Sequence, residues 1–225
     1  MKTTKRFEYK YVITYADYFM IKDALSMLLE HDVHGEKDDY PVHSVYLDDI
    51  LFTGAADKAF GNEVHQKYRI RFYHHEDKKK LELKHKIGNV STKYSTPIND
   101  ELYHALIEQN LDVIERYVDD ELIRRYMLDM LKNNLEPKVM IKYNREAYKD
   151  SIDNLRVTFD HSLLGSMFDE FDFEPDNRLL QNNKLILEVK YEHYLPKNIK
   201  QIIKKINPNL IAFSKYFLGY NSLGI

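Results

Sequence analysis

Five segments of this sequence place charged residues at alternate positions, with large apolar or aromatic residues between them. The alternating polar positions are Arg6, Glu8 and Lys10; Lys67, Arg69 and Arg71; Glu82, Lys84 and Lys86; Arg156, Thr158 and Asp160; and Glu188 and Lys190. Residues two apart in a β-strand point to the same face, so each segment is predicted to be a strand with one charged face. Arg and Lys bind phosphate oxygens, and Glu binds divalent cations. Together these faces could hold a polyanion and a metal ion.

The simpler interpretation is a set of antiparallel strands whose charged face is in contact with water, which is the usual explanation for any one strand of this kind. On these faces, however, uncharged polar residues are scarce, whereas a solvated face normally contains many of them. If the strands close into a barrel with their apolar sides outward, the charges line its interior. Like charges in such an interior repel strongly unless an anion, water and carboxylates compensate them. The pattern therefore also fits an interior that binds a polyanion.

The composition excludes several classes of protein. The chain has 225 residues, of which 44% are apolar, and it has no cysteine, so disulfide frameworks, thiolate metal sites and cysteine nucleophiles are excluded. The net charge of −3 is not that of a nucleic-acid-binding domain. Neither common glycine-rich phosphate loop occurs, so side chains must hold any phosphate. No apolar run approaches the ~18 residues of a membrane span, and we expect no membrane insertion and a cytoplasmic location.

Hydrophobic periodicity predicts an α+β protein with interspersed strands and helices. Strands are predicted at residues 5–13, 42–48, 66–73, 80–86, 138–148, 155–160 and 185–191. Helices are predicted after Thr14, after Asn99, at residues 119–133 and from Pro196. There is no repeat or linker, so residues 1–225 are expected to form a single domain with a mainly antiparallel sheet or barrel.

Two positions have two interpretations each. Arg145 shares its parity with Val139 and Ile141, which would place it on the apolar side of its strand. Either a β-bulge shifts the register and brings Arg145 to the charged face, or Arg145 has only a structural role. Asp48 and Asp49, at the end of another predicted strand, are either metal ligands or, as is more common for acidic residues there, caps of a turn.

Eight short segments, in order along the chain, resemble one known family. They are R-F-E-Y-K-Y, S-V-Y-L-D, K-Y-R-I-R-F-Y, L-E-L-K followed by Lys93, Y-N-R-E-A, L-R-V-T-F-D, L-I-L-E-V-K and F-S-K-Y. Each segment alone is weak, but the set extends from Arg6 to Lys215. It resembles the VTC domain, the polyphosphate polymerase domain of the vacuolar transporter chaperone complex, within the triphosphate tunnel metalloenzyme (CYTH-like) superfamily. The SPX domain and membrane helices of the eukaryotic complex have no counterpart here, so the chain looks like a free-standing version.

The resemblance implies a fold and a set of site residues. The fold is an antiparallel, eight-stranded β-barrel tunnel with helices packed outside, which holds a divalent metal ion (Mn or Mg). The residues implied to bind phosphate are Lys10, Arg69, Arg71, Lys84, Lys93, Arg145, Arg156, Lys190, Ser214 and Lys215, and Glu188 is implied to bind the metal. It favours the tunnel position for Arg145. From the alternating pattern we add Lys67 as a phosphate-binding residue and Glu8 as a second metal ligand.

The activity implied by the resemblance is phosphoryl transfer from ATP to a polyphosphate chain. The residues expected around the transferred group are Arg69, Arg71, Lys84 and Arg145. ATP and polyphosphate or triphosphate are the expected partners, and no nucleic acid is expected. Two alternatives remain open, because similar tunnels serve several reactions. One is a triphosphate or polyphosphate hydrolase in which Glu8 or Glu82 orients water, and the other is a non-catalytic module that binds polyphosphate or nucleotide.

Overall fold

A computed structural model describes residues 2–32, 39–56, 64–73, 76–87, 90–169, 174–206, 208–210 and 214–224. Within these ranges the strands are β1 Lys2–Lys5, β2 Phe7–Thr14, β3 Glu30–His31, β4 Asp39–Asp48, β5 Val64–Tyr73, β6 Glu76–Ile87, β7 Val90–Ile98, β8 Glu136–Lys149, β9 Arg156–Met167, β10 Asn177–Arg178, β11 Lys184–Tyr191 and β12 Asn209–Leu210. The helices are α1 Tyr15–Ser26, α2 Thr53–Ala56, α3 Asp100–Glu108, α4 Leu111–Ile114, α5 Glu121–Asn133, α6 Lys197–Lys204 and α7 Lys215–Ser222. No described helix has the length and apolar content needed to cross a bilayer.

The strands form one antiparallel sheet in the order β1-β7-β6-β5-β4-β8-β9-β11-β2-β12, with β3 paired to β8 and β10 to β9. This confirms the predicted α+β class. The expected barrel had eight strands and was closed. The observed sheet has a ten-strand path, and among the described residues no ladder joins its two ends. The reason is that the N-terminal segment divides at Arg6, where β1 pairs with β7 and β2 pairs with β11. The chain itself therefore connects the two sides of a curled sheet.

Two hydrophobic cores lie on the outer face of the curled sheet. One packs α3 and α5 against Ile70 of β5 and Leu81 and Leu83 of β6. The other packs α1 and α6 against strands that include β9 and β11, through Phe159 and Val189 among others. These apolar positions alternate with the charged ones, so their burial outside the curl leaves the charged positions facing inward.

The predicted helix starts coincide with capping residues. Thr14 and Asp17 form a reciprocal capping box at α1, in which the Asp17 backbone N–H donates to Thr14 Oγ1 at 3.1 Å and the Thr14 N–H donates to Asp17 Oδ2 at 2.9 Å. Asn99 caps α3 by accepting from the Leu102 N–H at 2.9 Å. Each cap satisfies backbone donors that have no partner within the helix. Pro196 is the N-cap of α6, one position earlier than the predicted first-turn position.

A third core differs from the others because it lies on the inner face of the sheet. It contains Tyr46 of β4 and Val139 and Ile141 of β8, and α7 packs over it. The ring of Tyr216 stacks on that of Tyr46 with centroids 4.4 Å apart and an interplanar angle of 5°. A Cβ atom on Gly219 would lie 3.2 Å from the side chains of Val139 and Ile141, so glycine allows α7 this close approach. One part of the interior is therefore filled by an apolar core and a helix.

Candidate functional site

The inward-facing charges line one cavity of about 320 Å³. Its lining residues are Arg6, Glu8, Lys10, Tyr46, Lys67, Arg69, Arg71, Tyr73, Lys80, Glu82, Lys84, Lys93, Tyr143, Arg145, Arg156, Glu188, Lys190, Ser214 and Lys215. Every residue expected from the sequence to bind phosphate or metal in the tunnel is in this set, whereas Asp48 and Asp49 are not. Among the described residues the lining includes twelve Lys or Arg and only three Glu, in a chain whose net charge is −3. We call this cavity the lumen. Its concentration of positive charge favours polyanions.

Strand register brings like charges together along one wall of the lumen. Lys67 of β5 is opposite Lys84 of β6, which is in turn opposite Lys93 of β7. Like charges directly opposite one another destabilise a sheet, and hydrophobic packing on the outer face offsets this cost. A row of three lysine positions is the arrangement that a chain of phosphates would stabilise.

Glu188 lies at the centre of the most deeply buried charges of the lumen. Its Oε1 accepts from Lys215 Nζ at 2.8 Å, and its Oε2 accepts from Lys190 Nζ at 2.7 Å and from Arg145 Nη2 at 3.3 Å. Burial alone raises the pKa of Glu188, but Lys190 and Lys215 hold that pKa well below its usual value. Glu188 is therefore ionised, and its charge is shared among three cations.

Asp160 is the second carboxylate in this network of buried charges. Arg145 donates to it from Nε at 2.6 Å and from Nη2 at 2.7 Å, and Lys215 Nζ lies 2.6 Å from Asp160 Oδ2. Asp160 is fully buried, so its contact with two fixed cations compensates for its loss of water. The bidentate pairing fixes the plane of the Arg145 guanidinium. Asp160 is one of the alternating charged positions predicted from the sequence, and it contacts Arg145 and Lys215 without itself lining the lumen.

Arg145 reaches the lumen without the bulge that the sequence suggested as one explanation. The ladder of β8 with β4 runs in regular register from Glu146 back to Val139. Val139, Ile141 and Arg145 therefore do share one face, and that face is the inner one. The irregularity lies in β9, where the register with β8 shifts around Ser162, a residue with a φ of 52°. Periodicity was misleading because this part of the interior is apolar beneath α7.

The other two glutamates each hold a separate group of cations. Glu82 accepts from Arg69 Nε at 2.8 Å and from Lys93 Nζ at 2.7 Å. Glu8 lies 3.2 Å from Lys10 Nζ and 2.5 Å from Lys84 Nζ. The contact from Lys84 to Glu8 joins β6 to β2, two strands between which no ladder is described. It therefore ties the two sides of the curled sheet together across the lumen.

Lys84 is the lumen lysine whose charge is least secure. Burial and the nearby Lys10 lower its pKa to about 8, against the opposing effect of Glu8. Its side chain is 38% exposed and lines the lumen. A bound polyanion would raise this pKa again, because it favours the charged form.

Tyrosine hydroxyls hold three lumen arginines that sequence reasoning left without partners. Arg71 Nη2 donates to the Tyr143 hydroxyl at 3.1 Å, and Arg156 Nη2 donates to the Tyr40 hydroxyl at 2.9 Å. Arg69 Nη1 makes a longer contact of 3.4 Å with the Tyr46 hydroxyl. These tyrosines were missed because aromatic residues on a strand indicate a core. The available signal was their parity with charged neighbours, as for Tyr143 and Arg145.

The N-terminus of α7 contributes the last part of the lumen. Ser214 is its N-cap, accepting from the Phe217 N–H at 3.1 Å and from Lys67 Nζ at 3.3 Å. The helix is held in place by Tyr216, whose hydroxyl donates to Asp48 Oδ2 at 2.7 Å. Asp48 also accepts from the backbone N–H groups of Gly54 and Ala55. Of the two interpretations of Asp48, the turn cap is the one that these contacts support.

A divalent cation in the lumen would have two carboxylates available on one wall. Lys190 Nζ lies 2.7 Å from Glu188 Oε2 and 3.7 Å from Glu8 Oε1, so the two glutamates already share one positive charge. Within the described residues there is no group of three or more His, Asp or Glu that could hold a metal alone. The donors therefore fit a cation such as Mg²⁺ that takes one or two carboxylates and completes its shell with substrate phosphates.

A wider depression, of about 600 Å³, lies outside the sheet between β7, α3 and α5. Its charged lining residues in the described chain are Arg116, Asp119 and Asp120. This balance of charge does not favour an anion, so the smaller lumen is the better candidate site.

The fold of the chain is that of several solved structures. A candidate adenylate cyclase from Bacillus halodurans is 14% identical, with a TM-score of 0.56 over 95% of this chain and 96% of that one. A candidate adenylyl cyclase from Hippeastrum is 15% identical, with a TM-score of 0.53 over 98% and 97% of the two chains. A protein from Pyrococcus horikoshii is 9% identical, with a TM-score of 0.51 over 96% of each chain. At these identities the likeness shows the fold alone.

A search of curated protein sequences found no match. The model of the VTC domain family, in contrast, matches residues 5–224, which include every described residue that lines the lumen. This agrees with the resemblance carried by the eight short segments. The chain belongs to the VTC domain family.

Proposed function

We propose that this protein transfers the γ-phosphoryl group of ATP to the end of a polyphosphate chain inside the lumen, with the help of a divalent cation. The observation that carries the proposal is the charge of the lumen, whose described lining has twelve Lys or Arg against three Glu. Phosphoryl transfer depends mainly on positioning and on stabilisation of charge. A lumen of this kind supplies both. The proposed location is the cytoplasm, where ATP is available.

The lumen cations divide into two groups by their partners. Arg145 and Lys215 are each paired with both Asp160 and Glu188, so much of their charge is compensated and their main effect is to fix the site. The contacts described for Arg71 are instead with the uncharged hydroxyls of Ser44 and Tyr143. A neutral acceptor orients a guanidinium without cancelling its charge. Arg71 is therefore the group best prepared to bind the transferred phosphoryl.

Glu188 and Glu8 would hold the divalent cation, since both carboxylates already contact the Lys190 ammonium. Such a cation supplies charge neutralisation between phosphate oxygens. With the cation bound, Lys190 would no longer be needed to neutralise the two glutamates, so its ammonium group would be available to bind a phosphate.

In the proposed reaction a terminal oxygen of the acceptor chain forms a bond to the γ-phosphorus of ATP. The bond between that phosphorus and the bridging oxygen breaks, and ADP leaves with the bridging oxygen and its electron pair. No side chain needs to remove a proton, because the terminal phosphate of the acceptor is ionised near neutral pH. Arg69, Arg71 and Lys84 bind the equatorial oxygens, where the charge of the transition state is spread. The longer product is held by the remaining lysines of the lumen.

The second candidate is hydrolysis of triphosphate, with water in place of the acceptor. The Hippeastrum protein that shares this fold has a dominant triphosphatase activity. A hydrolase needs a carboxylate to orient water, and Glu8 and Glu82 are the candidates. Glu8 contacts three cations in the lumen and Glu82 contacts two. Although burial raises the pKa values of both carboxyls, neighbouring cations hold those values well below the usual range. These weak bases favour transfer over hydrolysis. The third candidate, a binding module, predicts affinity without turnover.

The test is to incubate the purified protein with ATP and Mn²⁺ or Mg²⁺ and to resolve the products by gel electrophoresis and phosphorus NMR. Transfer gives ADP and bridging phosphates in a growing chain, whereas hydrolysis gives orthophosphate. The Arg71→Ala variant should lose either activity, and Arg116→Ala, which changes an exposed arginine outside the lumen, should keep it. Orthophosphate as the only new phosphorus signal would replace the proposal with hydrolysis. Binding of ATP without any product would leave only the binding module.

A further inference from the structure

Large apolar side chains are exposed mainly on one side of the molecule. In the described part of the chain thirteen such residues are exposed, and eight of them belong to β2, to α1 and the two residues directly after it, or to the segments flanking α6. Phe19 and Met20 lie on α1, and Met27 and Leu28 directly follow its last residue, Ser26, with Met27 83% exposed. The opposite face of α1 packs Ile21 and Leu25 into the outer core. Exposed apolar side chains grouped on one surface are typical of an interaction site, and the described residues do not cover these four side chains.

The other four exposed residues lie on β2 or in the segments before and after α6, and α6 packs against α1 over the same core. Phe7 and Tyr9 project from the outer face of β2, and their rings stack on Tyr191 at 5.4 and 6.0 Å. Tyr194 precedes α6 and Leu210 follows it, at 58% and 61% exposure. Aromatic residues beside an apolar helix face are typical of proteins that lie at the boundary between lipid and water.

The solvent face of α6 itself is basic. Lys197, Lys200 and Lys204 are exposed along the helix, and the exposed Lys205 is its C-cap. The helix contains no acidic residue, and the ammonium groups of these four lysines form no ion pair or hydrogen bond with the part of the chain that the structure describes. The acidic residues exposed on α1 and directly after it are Asp23 and Glu30. The surface is thus locally positive, although the net charge of the chain is −3.

We infer that this side of the molecule, the α1–α6 face, binds the surface of an anionic phospholipid bilayer. Helices that lie in the plane of a membrane combine lysines on one face with Phe and Leu on another, and long lysine side chains reach the headgroups while their methylenes cover apolar surface. A protein partner fits less well, because lysine is depleted in protein–protein interfaces. A symmetric pairing of two copies through α6 would place lysines against lysines. The inference is independent of the proposed reaction, since no residue of the α1–α6 face lines the lumen.

The test is sedimentation of the full chain with phosphatidylcholine vesicles, with and without phosphatidylserine. Tripolyphosphate at saturating concentration is included to keep lipid phosphates out of the lumen. The protein should sediment only with the anionic vesicles, and less so at high salt. The combined variant Lys197→Glu, Lys200→Glu, Lys204→Glu should lower the partition coefficient by more than about tenfold. The combined variant Phe19→Ser, Met20→Ser, Met27→Ser should lower it by several-fold at any salt concentration.

Matched controls change exposed residues elsewhere, with Ile50→Ser plus Leu51→Ser for the apolar set and Lys132→Glu for charge. These should bind vesicles as the unchanged protein does, and all variants should keep their affinity for tripolyphosphate, which shows that they fold. The inference is overturned if anionic vesicles do not bind the protein, or if tripolyphosphate releases it from them. It is equally overturned if the controls lose as much binding as the variants, or if the α1–α6 face proves to be buried in a dimer in solution.

Discussion

Arg71 donates a hydrogen bond from Nη2 to the hydroxyl of Tyr143, at 3.1 Å, across the lumen from β5 to β8. Arg71 is only 8% exposed, so its charge is buried against an uncharged acceptor. Arg145, two residues after Tyr143, is buried against carboxylates instead. The lumen thus contains one arginine prepared for a ligand and one used to build the site.

The Tyr143→Phe substitution tests whether the phenol orients Arg71. It removes the acceptor but keeps the ring and its packing. We expect the dissociation constant for tripolyphosphate to rise roughly 5- to 10-fold, about 1–1.4 kcal/mol, because Arg71 loses its fixed orientation. Isothermal titration calorimetry measures this, and Tyr117→Phe, outside the lumen, is the control. An unchanged constant would mean that Tyr143 serves only the core.

Removal of either of two arginines on the same strand should lower the melting temperature by different amounts. Without ligand, Arg69→Ala should lower the melting temperature, because Glu82 is 3% exposed and loses one of its two cations. Loss of a partner from a buried pair costs up to about 3–5 kcal/mol, and Lys93 reduces that cost here. Arg71→Ala should lower the melting temperature less, since the contacts described for Arg71 are with the uncharged hydroxyls of Ser44 and Tyr143.

Tripolyphosphate should raise the melting temperature of the unchanged protein far more than orthophosphate at equal total phosphate. A ligand at a thousandfold excess over its dissociation constant stabilises the native state by ~4 kcal/mol, and only a chain of phosphates can contact several lumen cations at once. Both arginine variants should show a smaller increase, measured by differential scanning fluorimetry. Equal shifts from the two ligands would contradict a lumen that binds phosphate chains.

Binding should weaken as the pH rises through about 8. Burial and Lys10 lower the pKa of Lys84 to about 8, so Lys84 is charged below that pH and increasingly neutral above it. Affinity for tripolyphosphate should therefore fall between roughly pH 7 and pH 9. Lys84→Arg keeps its charge over this range and should lose that part of the decrease. Comparison of the two proteins by calorimetry removes the titration of the ligand itself, and parallel profiles would show that Lys84 does not contribute.

Removal of one negative charge at Glu188 should weaken metal binding and turnover. The Glu188→Gln substitution leaves Lys190 and Lys215 with less compensation, so the protein without ligand should also melt at a lower temperature. Titration of Mn²⁺ in the presence of tripolyphosphate measures the affinity for the metal. The control is Glu192→Gln, which changes a glutamate that directly follows β11 and does not line the lumen. Full affinity and activity in Glu188→Gln would place the metal elsewhere.

Much of this arrangement could be predicted from local sequence patterns. Alternation fixes which side of a strand a residue occupies. The sequence alone therefore predicts that Lys10, Arg69 and Lys190 lie on the same, charged face. Helix starts were also predictable, since capping depends on neighbouring residues such as Thr14 and Asp17. The family resemblance added residues such as Lys93 that lie on strands with no clear alternation.

What could not be predicted depends on contacts between distant segments. β7 lacks a clear hydrophobic pattern, since it contains Thr92, Tyr94 and Thr96. It is a strand because it forms hydrogen-bonded ladders with β1 and β6, which are distant from it or not evident in the local sequence. The position of α7 inside the curl follows from its packing against β8, which no local pattern reveals. The path of the sheet is open because the N-terminal segment divides at Arg6. A single residue between two strands produces no sequence pattern from which such a division could be predicted.

The position of α7 also has a consequence for how the protein folds. Lys215 at the start of α7 meets Glu188 of β11, which is itself opposite Lys10 of β2. Contacts so distant in sequence form late, because the entropy of the intervening chain must be lost first. An intermediate that has its strands but not α7 lacks the apolar core that α7 completes. It also lacks Lys215, one of the three cations that contact Glu188. If polyphosphate is the ligand, as proposed, it should bind strongly only to the finished structure, and should then slow unfolding and leave the rate of folding unchanged.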